Sequence, residues 1–420
     1  MPLLDLFPVA LRVLPRDAVV LFLTRFIRLF AYGALSVVLV FYLVSLGHTE
    51  TQVGMLMTLT LAGDIAMSLL LTTRADRMGR RRTLFAGAIL MTGAGMAFAS
   101  TRNLLFLIVA GTIGVISPSG NEVGPFLSIE QAALSHVVPS ARRTEVFAWY
   151  TLAGSIATAL GALCGGAAAG IAQKASLSEP ASYRVVVLLY AALGAVMALL
   201  FTSLSSSTEV GDSLPEQGPA VKKFLGMGHS RSIIFKLSSL FALDSFAGGF
   251  VVQSFAAYWF YLRFGVHPVK LGLIFFWANV LAGVSALLAS RLATRIGLVK
   301  TMVVTHLPSN VLLILVPLMP NLALAVLVLL VRFSISQMDV PTRQSYTMAV
   351  VRPEERSAAG GITGVARTAG AAMSPIFAGF LFSRPLLIDI PFFIAGTLKI
   401  AYDLVLYCEF AAIRPPEEAG

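Results

Sequence analysis

The sequence predicts an all-α polytopic membrane protein whose twelve transmembrane helices form two pseudo-symmetric six-helix halves. Composition, long apolar runs and an internal repeat carry this prediction. Of the 420 residues, 57% are hydrophobic and only 12% are charged, and the mean hydropathy is +0.83. Soluble domains carry about 25% charged residues, so this chain has about half the polar surface that water requires. The chain is therefore expected to be embedded in a lipid bilayer.

The apolar runs indicate helices rather than barrel strands. A helix needs about 20 apolar residues to cross a bilayer, whereas barrel strands alternate apolar and polar positions, which these runs do not. Twelve runs meet the requirement, near residues 18–46, 50–73, 83–100, 104–136, 144–171, 185–205, 233–263, 268–292, 300–318, 322–350, 357–383 and 387–411.

The distribution of Lys and Arg predicts the orientation. Every second connection is rich in basic residues, as the 74–82 cluster shows, and cytoplasmic segments normally carry this excess. Both termini are therefore expected in the cytoplasm. The same bias explains the net charge of +10, so no nucleic-acid partner is expected. The predicted divisions are a first half (1–204), a cytoplasmic linker (205–232), a second half (233–411) and a cytoplasmic tail (412–420).

The repeat relates segments of the first half of the chain to segments of the second half. The stretch 75–84 returns at 293–302, Phe41-Tyr42-Leu43 returns as Phe260-Tyr261-Leu262, and Val137-Val138 returns as Val350-Val351. Membrane proteins built from such duplications most often move a solute through a site between their halves. The repeat therefore favours a transporter.

The connection between the second and third spans reads Asp76-Arg77-Met78-Gly79-Arg80-Arg81-Arg82. Gly79 permits a tight reversal, and Asp76 can cap a helix or pair with an arginine. This segment resembles the signature loop of the major facilitator superfamily. The resemblance implies a cytoplasmic gate at Asp76, Arg77, Gly79, Arg80 and Arg81, with a second copy at Arg295, Gly297 and Lys300. Simple anchoring of the basic residues at the lipid surface is the alternative explanation.

The resemblance covers nearly the whole chain and is closest to the drug and metabolite exporters of the superfamily. It implies alternating access of two halves. The fifth span carries Gly154, Gly161, Gly165 and Gly166, which are similar to the glycine-rich motif of the antiporters in that superfamily. Close packing of the helix is the alternative reason for these glycines. Proton-coupled efflux of a small organic solute is the expected function. Uptake of an anionic metabolite and a transport-inactive membrane sensor are the alternatives.

The first, fourth, seventh and tenth spans line the central cavity in the superfamily. Ionisable and polar residues in those spans are candidates for the substrate and proton path, because burying charge in a membrane is costly. The candidates are Arg28, Tyr32, Asn121, Glu122, Glu130, Gln131, Asp244, Gln253, Asp339 and Arg343. Glu122 is the first choice for the proton carrier and Glu130 the second.

Ion pairs among the charged residues of the spans would explain many of them without a substrate. Asp339 and Arg343 stand at i,i+4 and can pair with each other. A self-neutralising network can likewise account for Arg25, Asp64, Arg332 and Arg367. We expect Lys399 and Asp403 to form a local pair in the last span.

The sequence carries no combination of nucleophile and base, no nucleotide-binding loop and no histidine spacing that suits a metal. We therefore expect no enzyme activity, no cofactor and no metal. The expected partners are a small-molecule substrate, protons and the lipid bilayer. The protein is expected to be a monomer in the cytoplasmic (inner) membrane.

Overall fold

A computed structural model describes residues 14–120, 126–139, 143–209, 230–352 and 355–411, without the side chains of 73–77, 143–144, 206 and 357. Across these residues the chain is helical and contains no strand, which confirms the predicted all-α membrane fold. Its helices are α1 (Arg16–Ser45), α2 (Glu50–Met78), α3 (Arg80–Ser100), α4 (Leu104–Ile113), α5 (Phe126–Val137), α6 (Arg143–Lys174), α7 (Glu179–Thr202), α8 (Arg231–Gly249), α9 (Gln253–Phe264), α10 (Pro268–Ile296), α11 (Leu298–Leu315), α12 (Leu322–Phe333), α13 (Asp339–Ala349), α14 (Arg356–Met373), α15 (Pro375–Phe382) and α16 (Ile390–Phe410).

Ten helical segments in the described part of the chain are long and apolar enough to cross a membrane, and two shorter apolar helices are α4 and α12. The two short ones begin the fourth and tenth predicted spans. Each is followed by a break and then by a second helix, α5 or α13. The predicted fourth and tenth spans are therefore both interrupted, at corresponding places in the two repeats.

Local sequence explains where several helices begin and end. The side chain of Asn103 accepts hydrogen bonds from the backbone of α4, and that of Asn321 does the same for α12. These asparagines satisfy amide groups that have no partner inside the helix. Proline begins α10 and α15, where the missing N–H costs nothing. Gly265 ends α9 in the left-handed conformation.

The two loop glycines of the repeat share an unusual backbone. Gly79 joins α2 to α3 with φ of 94°, and Gly297 joins α10 to α11 with φ of 87°. Side-chain-bearing residues rarely adopt such angles, so glycine is needed for each tight reversal. The two copies of the signature loop therefore share the same glycine backbone conformation although the charges of their side chains differ.

The described chain divides into two compact units. Unit 1 comprises Met1–Leu46, Gly63–Pro215 and Pro268–Phe276. Unit 2 comprises Gly47–Ala62, Glu216–His267 and Trp277–Gly420. The first turns of α2 thus group with unit 2, and the first turns of α10 group with unit 1.

In unit 1, α1 is the central helix and packs against α6 and α7. Small residues make this packing close. A side chain at Gly161 would collide with the carbonyl group of Phe30, and a Cβ at Gly165 would lie 2.5 Å from the carbonyl oxygen of Ala34. The contacts show close packing at these two glycines of the fifth span, which is the alternative named above.

In unit 2, α8 packs against α14 and α16. The helix α8 rests on an apolar cluster that includes Phe241, Met302, Tyr346, Tyr402 and Phe410. Arg343 lies over the ring of Phe241, 5.3 Å from its centroid, and His306 meets the ring of Tyr402 edge-on. Tightly packed aromatic side chains of the cluster therefore border these two polar residues.

Candidate functional site

A buried ion pair joins α1 to α5 in unit 1. Arg28 donates from Nη1 to Glu130 Oε1 and from Nη2 to Glu130 Oε2, each at 2.7 Å. Both side chains are fully buried. The fork of the guanidinium matches the two carboxylate oxygens, which is the strongest geometry for such a pair.

Two hydroxyl groups complete the surroundings of Glu130. Tyr150 of α6 donates to Oε2, and Thr24 of α1 donates to Oε1 at 3.3 Å. The guanidinium of Arg28 also lies over the ring of Phe126, 4.6 Å from its centroid. Glu130 thus accepts four hydrogen bonds, which compensate the cost of burying its charge. The cluster ties three helices of unit 1 together.

Arg25 lies one turn before Arg28 and stacks on Tyr150, 4.3 Å from the ring centroid. Gly154 makes room for it, because a Cβ at that position would lie 2.8 Å from Arg25 Nε. One glycine of the fifth span therefore shapes the polar cluster as well as the packing of the helix.

Unit 2 holds a larger cluster centred on Asp244 of α8. Lys399 donates to Asp244 Oδ1 at 2.5 Å, and Arg343 donates to Asp244 Oδ2 at 3.1 Å. Arg343 also lies 3.3 Å from Asp339, four residues earlier on α13. All four side chains are at least nine-tenths buried. This cluster joins α8, α13 and α16.

His306 extends the cluster into α11. Its Nδ1 lies 2.8 Å from Asp403 Oδ1, and its Nε2 lies 3.7 Å from Asp244 Oδ1. Asn310 donates to Asp403 Oδ2 at 2.9 Å. Lys399 and Asp403 therefore bind different partners, and the expected local pair between them is wrong. The two residues lie one turn apart on α16, so Lys399 contacts Asp244 while Asp403 contacts His306.

Asp244, His306 and Asp339 bring possible metal-ligand atoms within 4.8 Å of one another. Lys399 and Arg343 already bind the oxygens of Asp244, however, and a dication would be repelled by both. The residues of this cluster do not suit a metal ion, so we assign none.

The other predicted cavity residues are placed as follows. Asn121 and Glu122 lie outside the described residues, so the role assigned to Glu122 stays a prediction. Gln131 is exposed, whereas Tyr32 is fully buried and stacks on Tyr190 at 6.4 Å. Gln253 of α9 accepts a hydrogen bond from Asn279 of α10 at 3.1 Å. Among the predicted cavity residues that the structure describes, Arg28 forms an ion pair with Glu130, and Arg343 forms ion pairs with Asp244 and Asp339.

The signature loop has a partner that the sequence did not suggest. Glu209 accepts hydrogen bonds from the backbone N–H groups of Arg80 at 2.6 Å and Arg81 at 3.1 Å. Arg80 is buried and donates from Nη1 to the carbonyl oxygen of Thr208 at 3.3 Å. The carboxylate therefore caps the positive end of α3. The side chains of Asp76 and Arg77 lie outside the described residues.

Asp17 of α1 binds the start of the predicted linker. It accepts from the backbone N–H of Ser205 at 3.0 Å and from the hydroxyl of Ser207 at 2.7 Å. Together with Glu209, this contact holds residues 205–209 against α1 and α3. In the second copy of the loop, Arg295 and Lys300 are exposed.

Sequence reasoning missed His306, Asn310, Tyr150 and Glu209. His306 lies in the middle of α11, where an ionisable residue is a functional candidate. Glu209 had no such signal, because a polar residue after a span is ordinary. Its role depends on a contact made 129 residues away in sequence.

Comparison with known proteins agrees with this architecture. The sequence matches the Major Facilitator Superfamily over residues 21–375. An uncharacterized membrane protein of Saccharomyces cerevisiae, YJR124C, is 31% identical over 425 residues, which cover 95% of each chain. A crystal structure of a variant of the nucleoside transporter NupG superposes with a TM-score of 0.76 at 13% identity, over 94% of this chain and all of that one.

The xylose transporter XylE from E. coli, in its inward-open conformation, superposes with a TM-score of 0.69 at 15% identity. The match covers 95% of this chain and 98% of that one. At such identities the structural likeness establishes the fold and not the solute. With the twelve predicted spans, the paired loop glycines and the sequence match, the chain belongs to the Major Facilitator Superfamily and is a transporter rather than an enzyme.

Proposed function

We propose that this protein is a proton-coupled secondary transporter of a small organic solute, which it exports by alternating access. The observation that carries the proton coupling is the position of His306, buried between the carboxylates of Asp403 and Asp244. Histidine is the side chain that changes charge near neutral pH without a strong perturbation by its surroundings. A proton on His306 would alter every ion pair of the unit 2 cluster.

The groups that face His306 come from four helices and determine what its charge does. They are Asp403, Lys399 and Tyr402 of α16, Asp244 of α8, Asn310 of α11 and Asp339 of α13. A protonated His306 competes with Lys399 and Arg343 for Asp244. Loss of that proton returns Asp244 to the two cations. Such an exchange of partners provides a physical link between proton binding and helix position.

Glu130 is less suited to carry the transported proton in the arrangement described here. Its carboxylate is held by Arg28, Tyr150 and Thr24, so a proton would have to displace these donors. We therefore assign it the role of fastening α1, α5 and α6. Glu122 remains the candidate carrier in the first half, and its substitution by Gln belongs in the same experiment.

The test uses full-length protein in liposomes that contain a pH-sensitive dye. Pools of nucleosides, sugars, peptides and organic acids are applied in turn, and internal pH and solute content are measured together. We expect one pool to drive proton movement in the wild type and in His136→Gln, whose histidine is exposed. In His306→Gln the solute should still move but without protons.

Proton movement at the wild-type rate in His306→Gln would remove that residue from the mechanism. Glu122→Gln then identifies whether the first half carries the proton. A protein that binds a solute but moves none across the membrane would instead be a sensor.

Direction is tested with the same liposomes. Solute that leaves the liposomes against its own gradient while protons enter supports export. Solute that accumulates inside the liposomes while protons enter supports uptake. The charge asymmetry of the connections supports cytoplasmic termini. A protease-cleavable tag at each end, in sealed cells, tests that orientation, and the membrane that holds the tagged protein tests the proposed cytoplasmic-membrane location.

A further inference from the structure

The two ring nitrogens of His306 face different carboxylates at different distances. Nδ1 lies 2.8 Å from Asp403 Oδ1 and 3.1 Å from Asn310 Nδ2. Nε2 lies 3.7 Å from Asp244 Oδ1, which is longer than a hydrogen bond. The side chains of His306, Asp403 and Asp244 are all at least nine-tenths buried. The ring is therefore hydrogen-bonded through Nδ1 and only approached by a carboxylate at Nε2.

The contact between Nδ1 and Asp403 requires one hydrogen atom. An imidazole nitrogen without a proton and a carboxylate oxygen are both acceptors, so they would repel each other at 2.8 Å. The hydrogen lies either on Nδ1 or on Asp403 Oδ1. A second hydrogen in the same contact would have no acceptor. The contact therefore holds one proton whether or not the ring carries a positive charge.

Asn310 supports this assignment. Its amide nitrogen donates to Asp403 Oδ2 at 2.9 Å, whereas its Oδ1 has no partner among the described residues. Asp403 Oδ2 therefore acts as an acceptor and leaves the shared proton to Oδ1 and Nδ1. If Asn310 donated to a bare Nδ1 instead, Asp403 Oδ1 would face a lone pair without a hydrogen. The amide thus orients the carboxylate, and the carboxylate binds the ring.

Nε2 is consequently the atom of His306 that can gain or lose a proton while its contact with Asp403 stays intact. Without the added proton, Nε2 turns a lone pair toward Asp244. With it, an N–H group faces Asp244 Oδ1, the oxygen that accepts from Lys399 at 2.5 Å. Shortening the separation from Nε2 to Oδ1 by about 0.8 Å would make it a hydrogen bond. A proton on Nε2 therefore competes directly with Lys399.

Charged groups on the surrounding helices determine how readily Nε2 accepts the proton, since carboxylates favour a positive ring and cations oppose it. Helices α12, α13 and α16 pack against α11, and α8 reaches the ring through Asp244. Arg332 is the single cation of α12. The groups beside the ring are Asp403, Lys399 and Tyr402 of α16, Asp244 of α8 and Asp339 of α13, with Arg343 bound to Asp244 and Asp339.

We infer that Asp403 is a positioning residue that holds the proton at Nδ1 of His306, and that Nε2 is the atom that binds and releases the transported proton. This inference rests on the proposed proton-coupled function and names the atom that performs it. The bond between Nε2 and hydrogen is the one covalent bond that forms or breaks. Each cycle therefore moves one proton and one positive charge onto the ring and off again.

The first test identifies the protonated nitrogen in the purified full-length protein. Nitrogen-15 chemical shifts of labelled histidine distinguish a ring protonated at Nδ1, at Nε2 or at both, and the signals that disappear in His306→Gln belong to this ring. We expect the neutral ring to carry its proton on Nδ1 and a pH titration to add the second proton at Nε2. The wild-type spectrum alone decides this assignment.

Asp403→Asn tests the positioning role. Asn310 would continue to donate to the new amide oxygen, which turns the new amide N–H group toward Nδ1. A donor at Nδ1 selects the neutral ring protonated at Nε2, so we expect the tautomer to be reversed. Glu409→Gln is the matched control on α16, because its carboxylate pairs with Lys236 and is about half-exposed. That variant should keep the wild-type tautomer.

The second test measures proton movement in liposomes at a series of pH values. In Asp403→Asn the pH at half-maximal proton movement should fall by about one unit or more, because the second proton must then bind at a nitrogen that faces a donor. A purely structural role of Asp403 would lower the rate and leave this midpoint in place. Glu409→Gln should retain the wild-type midpoint.

A neutral wild-type ring protonated at Nε2 would overturn the inference, as would an unchanged tautomer and midpoint in Asp403→Asn. Failure of the transport proposal gives a different result. Solute movement without protons, together with a ring that titrates at Nε2, would reject proton coupling and leave the assignment of the two nitrogens intact. Proton-coupled movement with a neutral ring protonated at Nε2 would preserve the transport proposal and reject the role of Asp403.

Discussion

Glu130 and Arg343 occupy corresponding positions in the two repeats and carry opposite charges. Their spacing along the chain is the same as that between Val137 and Val350 of the repeated loop segment. Each is buried, and each pairs with a residue of the first helix of its own half: Glu130 with Arg28, Arg343 with Asp244. Both halves therefore contain a buried ion pair at the same two positions, but the positive and negative residues are exchanged between those positions.

The partners also correspond. Arg28 and Asp244 have the same spacing along the chain as Gly33 and Gly249. Gly33 closely approaches Thr158 of α6, and Gly249 closely approaches Ser374, which follows Thr158 by that same spacing. The contact geometry therefore supports the register of the repeat. A buried pair between the same two spans is a shared feature of both halves.

Glu130→Gln should strongly destabilise unit 1. Arg28 would keep its charge in a buried position without a carboxylate, and breaking such a pair costs about 3–5 kcal/mol. Thermal unfolding in detergent should show a large fall in Tm. Glu409→Gln is the matched control, because its pair with Lys236 is half-exposed and is worth at most about 1 kcal/mol. Equal effects of the two variants would contradict the assigned role.

The charge exchange between the repeats can be imitated within unit 1. Arg28→Glu combined with Glu130→Arg recreates the signs that Asp244 and Arg343 carry in unit 2. Each single variant places like charges together, so the double variant should be more stable than the sum of the singles predicts. We expect a coupling energy of about 0.5–3 kcal/mol in a double-mutant cycle of unfolding. Strict additivity would show that the positions do not interact.

Gly165→Ala should destabilise the protein although alanine is the better helix former. The new Cβ would lie 2.6 Å from the Cα of Ala34, and such overpacking costs about 1–3 kcal/mol. Gly93→Ala is the control in α3, where nothing lies within 4 Å of the new methyl group. That variant should gain up to about 1 kcal/mol from helix propensity. The two Tm values should move in opposite directions.

Glu209→Ala should loosen the first turn of α3. It removes the acceptor for the backbone of Arg80 and Arg81, and loss of a cap costs about 0.5–2 kcal/mol. Amide hydrogen exchange at residues 80–83 should accelerate. Glu179→Ala, which removes an exposed acid from the first turn of α7, should leave that exchange unchanged. Unchanged exchange in both variants would show that Glu209 is not a functional cap.

The membrane fold, the position of the repeat and the need for glycine in both loops could be predicted from the residues alone. These follow from local properties, since apolar length decides a span and a positive φ requires glycine. The sequence also singled out Arg28, Glu130, Asp244, Asp339 and Arg343, because an ionisable residue in a span is conspicuous wherever it falls.

Which of these charges form pairs depends on how the helices pack against one another. Lys399 and Asp403 share one helix, yet they bind Asp244 and His306, respectively. Glu209 became part of the signature loop through a contact between distant segments. Partners across helices depend on how helices pack and rotate, and helical periodicity within one span carries no information about that.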